Sequence, residues 1–260
     1  LPTRAMEEGG TPRQAEAMLK HYHVSPVRRQ LAMDCAQASL AVKRSLQPEE
    51  ISLYVGIPFC PTRCAYCSFI SASGSANRLI PAYLDALFGE IDAAGEAARR
   101  AGKTVRTVYI GGGTPTTLAP DQLKALLDRL HTAFDLAPGT EFTVEAGRPD
   151  TITREKLEAI RDGGGNRISV NPQTMSDLVL ETIGRSHRAE DIRQAYALAR
   201  EVRVGAINMD LIAGLPADTP AGFAATLDEV IGMDPENITV HTLALKKGAR
   251  LRQENVTLPS

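Results

Sequence analysis

The sequence predicts an α/β fold: a parallel sheet built from six strand–helix units, preceded by an N-terminal helical extension. Three observations carry this. First, six β-branched, apolar runs recur: "ISLYVGIPF" (51–59), "RTVYIGG" (106–112), "EFTVEAG" (141–147), "NRISVNP" (166–172), "GAINMDLIAG" (205–214) and "NITVHTLAL" (237–245). They read as apolar on both faces, as strands inside a parallel sheet are. Second, the intervening segments have helical periodicity. In "DQLKALLDRLHTAF", Leu123, Leu126, Leu127, Leu130 and Phe134 form one stripe. Third, strand and helix alternate, which implies right-handed crossovers. Six units fit an open doubly wound sheet or an incomplete barrel, short of the eight of a closed one.

The elements follow in order. Residues 1–24, polar and containing "EEGGTP", read as loosely ordered or weakly helical. Residues 25–46 read as a helix with Ser25 as N-cap and Pro26 at the first helical position. Cys35 falls at an apolar spacing in that helix and reads as a buried small residue. Farther on, Asp121, Thr153, Thr174 and Thr219 are expected N-caps, Thr219 with Pro220 behind it and Thr174 paired with Asp177 in a capping box. The expected organisation is an extension over 1–50, a core over 51–245, and the start of a truncated C-terminal region over 246–260. The chain begins at Leu1 and ends in "NVTLPS", so a piece of a longer protein is expected.

The charge is nearly balanced, 29 basic against 31 acidic residues, which gives no global attraction to nucleic acid or an anionic membrane. No apolar run reaches membrane-spanning length and no signal-peptide pattern opens the chain, so the cytosol is the expected location.

In parallel α/β folds the functional edge is the C-terminal end of the strands. The unusual residues all fall there: a cysteine cluster after the first run, "GGGTPT" after the second, "EAGRPD", "NPQT" and "DLIAGLP" at the next three. The cluster is "IPFCPTRCAYCSFI", with Cys60, Cys64 and Cys67 at spacings of four and three. In a reducing compartment such thiols bind metal or do redox chemistry. Structural zinc takes four ligands, and no His or further Cys lies within twenty residues. An iron–sulfur cluster held by three cysteines keeps one iron open to another ligand. Iron–sulfur leads, with a three-cysteine zinc site and free thiols as the alternatives.

"CPTRCAYC" has the Cys-x3-Cys-x2-Cys spacing of the radical S-adenosylmethionine (SAM) enzymes and resembles them. "YVGIPFCPTRCAYCSF", "YIGGGTPT", "NPQT", "IGRSHRAEDI" and "NMDLIAGLP" resemble, in order, the oxygen-independent coproporphyrinogen III oxidase group. "EFTVEAGRPDTIT", "NPQTM" and "ENITVHTLALKKGARL" are most similar to its HemZ subgroup. The resemblance implies a partial (β/α)6 barrel. It implies a [4Fe–4S] cluster on Cys60, Cys64 and Cys67, with SAM on the open iron. It further implies oxidative decarboxylation of coproporphyrinogen III in haem biosynthesis, with a tetrapyrrole substrate and an electron donor of unknown identity. Established oxidases carry a further cysteine shortly after the third, where this chain has Ser68-Phe69, and often a His at the position of Gly56. Those departures resemble the broader oxidase-like group, some of whose members are haem chaperones. Haem transfer and a radical reaction on another substrate stand as alternatives.

The rim residues have readings of their own. Gly111, Gly112 and Gly113 form a tight turn, or backbone held close against a ligand, and Gly-x-Gly-x-x-Gly is not matched. Glu145, Gln173 and Asp210 are polar groups in otherwise apolar strand ends, where burial demands a partner. Arg185, read alone, is a solvated helix end. His187 reads as surface, and His241 as a rim or core group. By resemblance, Gly112, Gly113, Thr114, Glu145, Gln173, Arg185, Asp210 and Ala244 contact SAM, and Tyr54 and Tyr66 lie near the cofactors.

Overall fold

The computed structural model describes residues 1–69 and 71–253, which form two compact units, 1–50 and 51 onward. The first unit is α1 (Pro2–Glu7), α2 (Pro12–His21) and α3 (Pro26–Ser45), packed on Ala15, Leu19 and Met33. Of the two readings of residues 1–24, the helical one holds over Pro2–Glu7 and Pro12–His21. Each helix starts with proline, which has the helical φ preset and no N–H to leave orphaned. Thr11 and Gln14 cap α2 reciprocally. The Thr11 N–H donates to Gln14 Oε1 at 2.7 Å, and the Gln14 N–H to Thr11 Oγ1 at 3.3 Å. Ser25 stands at the N-cap of α3 but makes no side-chain cap bond. Cys35 is exposed, against expectation, because Met33, Ala36 and Leu40 hold the buried face of α3.

The second unit begins with β1 (Glu50–Ile57), the short β2 (Phe59–Cys60) and β3 (Ala72–Ser73), and α4 (Ile80–Arg100). Then come β4 (Thr104–Gly112), α5 (Pro120–Phe134), β5 (Glu141–Glu145), α6 (Arg154–Asp162) and β6 (Arg167–Ser169). It continues with α7 (Asp177–Thr182), α8 (Ala189–Val202), β7 (Ala206–Ala213), α9 (Pro220–Gly232), β8 (Asn237–Thr242) and α10 (Arg250–Gln253). Among the described residues, six strands form the main sheet in the order β1-β4-β5-β6-β7-β8, and the pairs from β4 to β8 are parallel. Neighbours in the sheet are thus neighbours in sequence. That is the order of a barrel wall; a doubly wound sheet reverses at a switch point. The fold is the partial (β/α)6 barrel.

The two faces of this sheet differ. Val108, Ile110, Phe142, Val144, Ile168, Ile207 and Met209 face the helices and join Leu123, Leu126, Leu127 and Leu130 of α5 in one core cluster. Burying each such side chain contributes about 1.5–3 kcal/mol. Their sequence neighbours point the other way and are mostly polar. Tyr109 pairs with Thr143, Thr143 with Arg167, Ser169 with Asn208, and Asp210 with Thr239. Asn208 donates to Ser169 Oγ at 3.2 Å and to Asp210 Oδ1 at 2.7 Å, and accepts from Thr239 at 2.9 Å. The expectation of strands apolar on both faces is corrected: Thr143, Ser169 and Asn208 are buried on this face, and Ser169 and Asn208 are hydrogen-bonded to their strand neighbours.

Two predicted caps shift. α5 starts at Pro120, with Ala119 at the N-cap, whose N–H donates to Gln122 Oε1 at 2.9 Å; Asp121 lies in the first turn. α7 has Ser176 at its N-cap, and Thr174 Oγ1 accepts from the Ser176 N–H at 3.2 Å. Asp177 accepts from the Ala189 N–H at 2.8 Å, so it closes no capping box. Thr153 and Thr219 do cap, accepting from Lys156 N–H at 3.4 Å and Gly222 N–H at 3.0 Å. Residues 254–260 of the expected C-terminal region lie outside the described residues. Among the described residues, no helix is long and apolar enough to cross a membrane.

Candidate cofactor site

The cysteine loop is rooted on backbone. Phe59, 3% exposed, packs edge-to-face on Tyr83 at 5.3 Å, and β2 pairs with β3 through Phe59 with Ala72 and Cys60 with Ser73. Beyond it the Cys67 N–H donates to Cys64 O at 3.1 Å, a turn that draws those two thiols together. Buried Ala65 pins the loop: its N–H donates to Ile183 O at 2.9 Å and its carbonyl accepts from Leu251 at 3.0 Å.

The glycine segment lies along the loop's root. The Gly113 N–H donates to Ile57 O at 2.8 Å and the Thr114 N–H to Phe59 O at 2.7 Å. Gly112 has φ of 108°, and a Cβ on Gly113 would meet Phe59 O at 2.6 Å and Phe59 N at 2.9 Å. The turn reading and the close-approach reading both apply, with the protein's own backbone as the near neighbour. Gly113→Ala is expected to cost about 1–3 kcal/mol through this overlap and to lower iron retention with it. An unfolding temperature and iron content equal to the parent's would show that the backbone has room.

At the C-terminal ends of the strands the loop and sheet enclose a cavity of about 700 Å³. Cys60, Cys64 and Cys67 line it, all free thiols. Tyr54, Tyr66, Gly112, Gly113, Thr114, Glu145, Gln173, Arg185, Asp210 and Ala244 line it as well. The sequence reading passed over Tyr109, Asn171 and Arg148, which also line it. The rim segments "EAGRPD" and "NPQT" contained a signal for the last two. Tyr109 looked like one more strand residue, and only its alternation with buried Val108 and Ile110 marked it.

Arg185 is 8% exposed, not a solvated helix end. Its Nη1 donates to Asn171 O at 2.6 Å and its Nη2 to Tyr66 OH at 3.1 Å. Burial works against its charge, but Tyr66 and Cys64 beside it more than offset this and hold its pKa above the usual value. Arg185 Nε and Asn171 Oδ1 are buried without a partner, one donor and one acceptor. Glu145 accepts from Tyr109 OH, and from Asn171 Nδ2 at 2.9 Å. Burial raises its pKa in spite of those bonds. Tyr54, 65% exposed, stacks on Tyr109 with ring centroids 6.1 Å apart. Gln173 has φ of 69°; its N–H donates to Asp210 O at 2.9 Å and its carbonyl accepts from Ile212 at 3.0 Å. His241 Nε2 stands 3.9 Å from Asp210.

Behind Cys64 lies a buried polar chain. Arg148 clamps Asp150 through Nε and Nη2, both at 2.9 Å, and His187 Nδ1 stands 3.4 Å from Asp150 Oδ1. His187 is 3% exposed, so its surface reading is corrected: packing buries it behind the rim. Burial would raise Asp150, but His187 and Arg148 hold its carboxyl well below the usual carboxylate range.

The donor set fits the implied cofactors. Among the described residues, no three His, Cys, Asp or Glu side chains converge in the geometry of a single metal ion. A multi-iron cluster, in which each thiolate holds its own iron, needs no such point. Thr114 Oγ1 donates to Cys60 Sγ at 3.4 Å, and Arg148 Nη1 to Cys64 Sγ at 3.9 Å; both donors suit thiolates. Burial pushes the Cys67 thiol up, so bound metal is what would hold it ionised.

Fold and site thus define a partial parallel barrel whose rim carries a three-thiol cofactor cradle. The Radical SAM superfamily matches residues 54–230, and the chain belongs to that superfamily, whose cofactors are a [4Fe–4S] cluster and SAM. It is 38% identical, over 95% of its length and 50% of the relative's, to the "Oxygen-independent coproporphyrinogen-III oxidase-like protein HemZ" of Bacillus subtilis. It is 35% identical, over 75% of its length and 51% of the relative's, to "Heme chaperone HemW" of the same organism. The solved structure of coproporphyrinogen III oxidase (HemN) from Escherichia coli, described as a radical SAM enzyme, aligns with a TM-score of 0.75 at 32% identity. That alignment covers 86% of this chain and 52% of the other. The chain spans about half the length of these relatives.

Proposed function

We propose that the chain is the cofactor-bearing core of an oxygen-independent coproporphyrinogen III oxidase-like enzyme of haem biosynthesis. The observation that carries the chemistry is the single cavity lined by all three thiols together with Arg185, Glu145 and Asp210. The likeness to the HemZ protein along 95% of the chain supports the tetrapyrrole substrate.

Cys60, Cys64 and Cys67 would ligate three irons, leaving the fourth open. The cluster, when bound, supplies the electron that cleaves SAM to a 5′-deoxyadenosyl radical. The protein's residues bind and orient. The unpartnered Arg185 Nε suits a carboxylate and the unpartnered Asn171 Oδ1 an amine, the two charged ends of a methionyl group. Glu145 and Asp210 offer carboxylates suited to ribose hydroxyls. Tyr54 stacked on Tyr109 offers an aromatic surface at the cavity against which a base can lie. At the substrate, two of the propionate chains would each give a β-hydrogen atom to the 5′-deoxyadenosyl radical and then lose carbon dioxide and one electron, leaving a vinyl group. The electron passes to an acceptor of unknown identity.

Haem transfer is the second reading, favoured by Ser68-Phe69 after Cys67 and by the HemW likeness. The test is anaerobic reconstitution of the full-length protein with iron and sulfide, then reductant, SAM and coproporphyrinogen III. Formation of 5′-deoxyadenosine together with protoporphyrinogen is expected. Deoxyadenosine without decarboxylated porphyrinogen would refute the oxidase reading, and tight stoichiometric haem uptake would establish the chaperone in its place.

A further inference from the structure

Arg148 touches the cysteine loop but has no role in the SAM contacts proposed above. It is a cation buried to 3% exposure at the end of β5, in the segment "EAGRPD". Its guanidinium is fully committed. Nε and Nη2 grip Asp150 fork-to-fork at 2.9 Å each. Nη1 is left to face the cysteine loop, donating to Thr62 Oγ1 at 3.0 Å and to Cys64 Sγ at 3.9 Å. The clamp is backed in turn: His187, with a side chain 0% exposed, stands 3.4 Å behind Asp150, and Ser186 Oγ lies 3.5 Å from Nη2. The clamp on Asp150 keeps Nη1 turned toward the cysteine loop, within reach of the Cys64 sulfur.

We propose that Arg148 is a positioning residue for the cluster, whose guanidinium, fixed by Asp150, donates to the Cys64 thiolate and raises the cluster's reduction potential. The proposal rests on Cys64 being a cluster ligand. The physical reason is charge. Reduction adds one negative charge to the cluster, and a cation and hydrogen-bond donor at a ligating sulfur favours the more negative state. Asp150 moderates the effect, since its carboxylate offsets part of the guanidinium's field. The competing role is mechanical: Arg148 as a bolt that holds the loop through Thr62. The two roles predict different variants to matter.

The test uses the anaerobically reconstituted protein without SAM, with the midpoint potential read by redox titration followed by electron paramagnetic resonance. Arg148→Gln is expected to lower the equilibrium constant for reduction about tenfold, about 59 mV for one electron. Asp150→Asn is expected to move the potential the other way, because the cation is no longer offset. Thr62→Val, which removes the bolt and leaves the charge, is expected to leave it in place. An Arg148→Gln protein with an intact cluster and an unmoved midpoint overturns the proposal. So does a Thr62→Val protein that reproduces the Arg148→Gln shift. Should Arg148→Gln retain no cluster, Arg148→Lys, which keeps the charge but loses the planar fork that aims a donor at Cys64, decides: a lowered potential supports the proposal, and an unmoved one overturns it. A parent protein without iron–sulfur absorption overturns the cofactor reading as well, a result distinct from an unmoved midpoint.

Discussion

Cys64→Ala is expected to abolish the cluster and leave the fold standing. Cys64 sits in the middle of the loop, between Cys60 and Cys67, and is only half-buried, so its loss creates no large cavity in the core. The loop keeps its anchors in the variant, since Ala65 still bonds Ile183 and Leu251 through backbone alone. Stability of the metal-free protein should change by no more than about 1 kcal/mol, since the lost Arg148–Cys64 contact is long, at 3.9 Å, and Arg148 keeps Asp150 and Thr62 as partners. Iron and sulfide content, and the visible absorption of the reconstituted protein, should fall to background, and SAM cleavage with them. Far-ultraviolet circular dichroism should be unchanged. A variant that retains a full iron complement would refute the ligand assignment.

The second large effect is at Arg185. Arg185→Lys keeps the charge but removes the planar fork and the Nε donor, so the substitution is not conservative at this site. Two outcomes are separable because Arg185 has two sets of atoms at work. Its Nη atoms bond Asn171 O and Tyr66 OH within the protein, and its Nε is left without a partner. If Nε receives a SAM carboxylate, the loss of one charge-assisted bond weakens SAM binding by about 1.5–3 kcal/mol, on the order of 10- to 100-fold. Equilibrium dialysis of SAM against the cluster-loaded protein measures this. A variant that is less stable but binds SAM as the parent does would leave Arg185 a structural brace and nothing more.

Much of this was legible before any coordinates. The alternation of apolar runs with amphipathic helices gave the sheet, because strand and helix periods differ and each run is short-range in sequence. The rim was legible for the same reason: the thiols, the glycines and the acidic strand ends are local patterns whose spacing carries chemistry. What was not legible is what depends on distant packing. His187 looked like surface because nothing nearby in sequence shows that Asp150 and Arg148 enclose it. Cys35 has apolar neighbours along α3, but burial there depends on α1 and α2, which choose the opposite face. Those two helices were left open between loose order and weak helix because their apolar residues are few; proline starts and a capping box set them. Arg185 shows the converse. Its sequence position favours solvent, and only the resemblance placed it inward.

One further consequence comes from the two unlike faces of the sheet. The convex face carries Val108, Ile110, Phe142 and Val144 into a shared core with the helices, while Tyr109, Thr143, Ser169 and Asn208 line the concave side. Adjacent residues on each strand therefore answer to different selective pressures. A change at an even position of β4, such as Ile110, is judged by whether the protein still folds. A change at an odd one, such as Tyr109, is judged by what it can hold. Such a wall lets lineages rewrite the ligand they accept one side chain at a time, with the scaffold insulated from each experiment.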